Sequence, residues 1–166
     1  MQIISKAVAW TGLISVPVLL LAASPAPANA GNIGSCAASL IAGGVPKESA
    51  ASACADASEP NQLSSCVDQI IKTDIKGNDA LQACYRVRRP DELASCVTTI
   101  SGITTAKESP MALDSCQRSL LPQRHAECTL DLAGLSDIST AEAMKSCLAA
   151  EIMPGNVSPK SAPKSN

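Results

Sequence analysis

Apolar positions along this chain recur with a helical spacing, and the spacing itself recurs about thirty residues later. Leu63, Cys66, Val67 and Ile70 stand at i, i+3, i+4 and i+7, and Leu93, Cys96, Val97 and Ile100 repeat the pattern. Residues so spaced share one face of an α-helix and can be buried together. Ile33, Cys36, Ala37 and Leu40 form an earlier copy. His125, Cys128, Thr129 and Leu132 form a later one, with a histidine where an aliphatic residue is expected. Between these lie helices of a second kind, in which the expected apolar partner precedes the cysteine by three: Ala51 with Cys54, Leu81 with Cys84, Leu113 with Cys116 and Met144 with Cys147.

Polar and special residues set the boundaries. Asn78-Asp79, Ser109-Pro110 and Ser139-Thr140-Ala141-Glu142 read as helix starts, the last as a capping box in which serine and glutamate each satisfy a free backbone donor. Pro60, Pro90 and Pro122 each lie six residues after one cysteine and six before the next, and Pro154 lies seven after the last. Proline cannot continue a helix but fits its first turn, so each marks a tight corner from a second-type helix into the next first-type one. The remaining connections, Gly43-Gly44-Val45-Pro46 and residues 73–78, 101–109 and 134–138, vary in length and carry glycine and polar residues, as adaptable loops do.

The fold predicted is therefore all-α: eight short helices paired as four tandem hairpins, stacked as a small solenoid or compact helical array. The hairpins span about 31–59, 60–89, 90–121 and 122–153, within one repeat domain over 31–154. Residues 155–166, rich in Ser, Pro, Lys and Asn, are too poor in apolar surface to order themselves and read as a disordered tail.

Residues 1–30 read as a cleaved secretory signal peptide: Lys6 is the only charge, an apolar run covers 7–23, and Ala28-Asn29-Ala30 supplies the small residues of a cleavage site before Gly31. No membrane span is expected after cleavage. The remaining residues carry twelve basic against fifteen acidic side chains, with Tyr85 their single aromatic. A core of Ala, Leu, Ile, Val and Met is thin, since short helices are marginal without tertiary support.

Eight cysteines in an exported chain supply covalent support. Cys36, Cys54, Cys66, Cys84, Cys96, Cys116, Cys128 and Cys147 are separated by 18, 12, 18, 12, 20, 12 and 19 residues. Two local pairings compete. One closes each hairpin: Cys36 with Cys54, Cys66 with Cys84, Cys96 with Cys116 and Cys128 with Cys147. The other bridges the constant 12-residue corners and strands Cys36 and Cys147. The first, which leaves no thiol over, is favoured; each loop of about 20 residues then contributes about 3 kcal/mol on the chain-entropy picture.

No residue set specifies a reaction, and no cofactor is expected. Cysteines never closer than twelve residues do not form zinc-type or redox C-x-x-C pairs. Thiolates in a helical bundle could hold copper(I), which keeps a small-ligand or soft-metal carrier as the alternative reading. His125 is the one irregularity on an apolar stripe and stays a speculative site; Glu127 is too near in sequence to share its face. Arg86, Arg88 and Arg89 form the only basic cluster, placed to complement a helix C-terminus before Pro90. With Tyr85 beside them they are a candidate interaction surface, although the tyrosine is expected rather to plug its own hairpin. A net acidic chain without aromatic interleaving argues against nucleic-acid binding. The sequence thus predicts a secreted protein, periplasmic or extracellular, acting as a non-enzymatic interaction or structural module toward an unknown protein or envelope partner. It lacks the Cys-Cys and Cys-x-Cys pairs of eight-cysteine lipid-transfer proteins and the Leu-Gly-x-x-Tyr pattern of Sel1-like repeats, so no family resemblance is drawn.

Overall fold

Every cysteine-centred segment is helical in the computed structural model, which describes residues 30–152. In chain order the helices are α1 (Ala30–Ala42), α2 (Lys47–Asp56), α3 (Pro60–Ile70), α4 (Gly77–Arg86), α5 (Pro90–Ser101), α6 (Ser109–Arg118), α7 (Pro122–Ala133) and α8 (Thr140–Ile152). A single 3-10 turn, Ile71–Thr73, extends α3, and no strand occurs among the described residues. The expected leader, apart from Ala30, and the expected tail with Pro154 lie outside the described residues.

The odd-numbered helices α1, α3, α5 and α7 lie side by side in one row, and each even-numbered helix packs on its own odd partner. A disulfide fastens each pair. Cys36 is bonded to Cys54, Cys66 to Cys84, Cys96 to Cys116 and Cys128 to Cys147, with Cα–Cα separations of 5.9 to 6.0 Å, and no cysteine is free. The bridges thus follow the hairpins and not the corners. Polar contacts tie successive hairpins laterally. Ser39 Oγ on α1 donates to Asp68 on α3 at 2.5 Å, and Ser119 Oγ after α6 donates to Glu151 on α8 at 2.8 Å.

Pro60, Pro90 and Pro122 open α3, α5 and α7. The residues before them, Glu59, Arg89 and Leu121, adopt nearly one conformation, with φ of −130°, −131° and −132° and ψ of 78°, 78° and 72°. Proline excludes the α region for its predecessor, so the same residue at the same place makes the same corner three times. The loops at the other end come in two forms. Gly44 and Asp74, each eight residues after a cysteine, take left-handed backbone with φ of 84° and 63°. In the two longer loops, Gly102 and Gly134 end the helix in right-handed geometry instead.

The buried stripe of the odd helices is the predicted one through α3 and α5, where Leu63, Cys66, Val67, Ile70, Leu93, Cys96, Val97 and Ile100 are all buried. In α7 it weakens: His125 and Thr129 are buried, while Cys128 and Leu132 are only half-buried. The even helices need one correction. Ala51 is exposed, and its neighbour Ala50 is the buried partner of Cys54. Ala50, Ala80, Ala112 and Ala143 all stand four before a cysteine and are all fully buried, so a small side chain at this position lets each even helix approach its odd partner closely. Helix starts also shift. Helix α4 begins at Gly77 without a side-chain cap, whereas the Ser139–Glu142 capping box forms, with Ser139 Oγ 2.8 Å from the carboxylate and accepting from the Glu142 N–H at 3.3 Å.

Candidate functional site

Because the corners share one geometry, they line up along one edge of the array, and a cleft opens between each and its neighbour. The first, of about 360 Å³, lies between Ala57-Ser58-Glu59 and the second corner and includes Tyr85, Val87 and Arg88. The next, of about 280 Å³, lies between Val87-Arg88-Arg89 and the third corner, with Leu93, Gln117, Leu120 and Pro122 around it. The last, of about 430 Å³, lies between Leu120-Leu121 and α8, where Arg124, His125, Cys128, Cys147 and Glu151 border it. Leu120 and Leu121 are exposed at 74% and 46%, so the third corner presents apolar surface to solvent. Sequence reading passed over this dipeptide, because Ser119-Leu120-Leu121-Pro122 looks like the preamble to an apolar helix.

The basic cluster is divided among these clefts and does not form one face. Arg88 stands between the first and second clefts of the edge, Arg89 borders the second, and Arg86 faces a separate surface between α2 and α4 with Tyr85. All three arginines are exposed. Arg89 is paired with Glu92 at 2.9 Å, while Arg86 and Arg88 have no ion pair among the described residues. The expectation that Tyr85 plugs its own hairpin is corrected: it is 46% exposed, and its hydroxyl donates to Asp56 of the preceding hairpin, which raises the phenol above its ordinary pKa. It serves as a lateral tie between α4 and α2.

His125 occupies the position that Leu63 and Leu93 fill in the two preceding hairpins. Its side chain is buried, and neither ring nitrogen has a hydrogen-bond partner. Nδ1 lies 3.8 Å from Glu151 Oε1, beyond hydrogen-bond distance. The Glu151 carboxylate is engaged elsewhere, accepting from Ser119 Oγ and from the Leu120 N–H at 2.9 Å, so it pins the third corner to α8. Burial pushes the imidazole below its ordinary pKa, and the nearby Glu151 offsets part of that push. A neutral, unpartnered imidazole has no oriented partner for proton transfer.

Thiolate ligation of a soft metal loses its donors, since all eight sulfurs are consumed in disulfides. No group of three or more potential metal-binding side chains occurs among the described residues, and none of their helices is long and apolar enough to cross a membrane. The described residues form an all-helical, disulfide-stabilised array of the kind that oxidising compartments maintain. Its sequence matches no protein-family model, and comparison with curated proteins and with solved structures also gives no match.

Proposed function

We propose that this protein is an extracytoplasmic, non-enzymatic docking module that takes an extended peptide segment of a partner along its corner edge. The segment is mainly apolar and sets an acidic side chain against Arg88. The observation that carries this reading is the serial placement of three clefts at one repeat position, framed by corners of one backbone geometry. Stacked helices are spaced about 8 to 10 Å apart and an extended chain advances about 3.3 Å per residue, so roughly every third peptide residue meets a new cleft. Helical repeat arrays use such periodic surfaces to bind long ligands. Leu120 and Leu121 supply the apolar contacts, and the unpaired Arg88 guanidinium supplies a fork for a carboxylate. Export to the periplasm or cell exterior agrees with the leader-like residues 1–30 and with the disulfide framework.

Fluorescence anisotropy with labelled ten-residue peptides tests it, one series mainly apolar with a single central aspartate and a matched series with lysine in its place. The aspartate peptides should bind, the lysine peptides should not, and Arg88→Glu should weaken binding about tenfold without moving the melting temperature. Equal binding of both series, or indifference to the substitution, removes the reading.

A further inference from the structure

We infer that Cys128–Cys147 is a thiol-exchange site, the one bridge of the four that an external dithiol opens while the rest of the array stays folded. This rests on the surroundings of the sulfurs and not on the docking reading. Cys128 is the only half-buried cysteine; the other seven are at most 3% exposed. The cleft between the third corner and α8 borders both residues of this bridge, whereas the two earlier corner clefts touch only Cys84 or Cys116, each 1% exposed. The six cysteines of the first three bridges belong to the contiguous buried core, and neither Cys128 nor Cys147 does.

The hairpin around the bridge also holds most of the buried side-chain polar atoms that lack a hydrogen-bond partner among the described residues. His125 and Thr129 carry buried polar atoms without hydrogen-bond partners where the second and third hairpins carry Leu63 with Val67 and Leu93 with Val97. No further described hairpin packs on its outer side. Exchange requires a thiolate to reach a disulfide sulfur, so access and the ease of local opening decide which bridge reacts first.

In the exchange, one thiolate of the dithiol attacks Cys128 Sγ. The S–S bond breaks, its electron pair leaves on Cys147 Sγ, and that thiolate takes a proton from water. The second thiol of the reductant, deprotonated, attacks the mixed disulfide and releases Cys128, which is protonated in turn. The dithiol is oxidised by two electrons to a disulfide, and Cys128 and Cys147 become thiols. Helix α8 is then held by packing and by the Glu151 contacts to Ser119 and Leu120, so the last cleft of the edge is unlocked and the first two are kept.

The test treats the native, oxidised protein with limiting dithiothreitol, quenches aliquots with iodoacetamide, and locates the label by peptide mass spectrometry. Cys128 and Cys147 should be labelled together, at least about tenfold faster than any other pair, with a rate nearly independent of urea below the unfolding transition. The inference is overturned if another pair reacts first or equally fast. It is overturned equally if no bridge opens short of global unfolding, or if all eight cysteines appear in step at a rate that climbs steeply with urea.

Discussion

His125 shows how one polar residue on an apolar stripe sets a local stability. Burial lowers its pKa from the ordinary 6.5, so the unfolded chain takes up a proton more readily than the folded one. The stability held by the neutral ring is therefore present above the unfolded value and is lost as pH falls below it toward the lowered folded value. The charged groups near the ring are Glu151 on α8 and Arg124 on α7 itself. Thermal melts between about pH 7.5 and 5 should show the melting temperature dropping on acidification. His125→Leu, which installs the residue found at this place in the two preceding hairpins, should stabilise by about 1 to 3 kcal/mol at the upper pH by removing unsatisfied buried polar atoms. The variant should also lose less on acidification; an undiminished drop would assign the acid sensitivity to other groups.

Between elements, the described glycine with the least room for a side chain stands where α4 starts. A Cβ on Gly77 would stand 2.3 Å from the Gly43 carbonyl oxygen, so the loop of the first hairpin leaves no room for a side chain there. The equivalent positions, seven before a cysteine, hold Ser109 and Thr140 in the later hairpins but the exposed Lys47 in the first, which has no hairpin before it. Gly77→Ala should cost about 1 to 3 kcal/mol in urea denaturation, whereas Lys47→Ala should leave the midpoint unchanged. Loss of stability in both variants would refute the close-approach explanation. The constraint is barely legible in the sequence, since a lone glycine among Lys76, Asn78 and Asp79 reads as ordinary loop. By contrast the cysteine intervals and corner prolines were legible, because helical periodicity and the lost proline N–H act locally. Ala50 was missed because positions three and four before a cysteine share a face, and the leucine or methionine at the former in the other hairpins drew attention from the alanine at the latter. The clefts were not legible at all, as they form only when separate corners come into register.

At the scale of the whole molecule, the buried interior of the described residues contains no Phe, Tyr or Trp side chain; its largest fully buried members are Leu40, Ile70, Leu93, Ile100 and His125. Four bridges closing loops of 18 to 20 residues contribute about 3 kcal/mol each, a sum comparable with the entire net stability of a domain. Complete reduction and alkylation should therefore abolish most of the far-UV circular dichroism of the folded state at 25 °C. Persistence of full helicity would mean that the amphipathic faces cohere without sulfur. The bridges also join the cysteines as consecutive pairs in chain order, first with second, third with fourth, fifth with sixth and seventh with eighth. A chain emerging from its N-terminus thus completes each pair before the next is begun, so once a pair has closed only the correct mate meets the next free thiol. The register of cross-links can be written during elongation without later shuffling, and whole hairpins could be gained or lost without leaving a cysteine unmated.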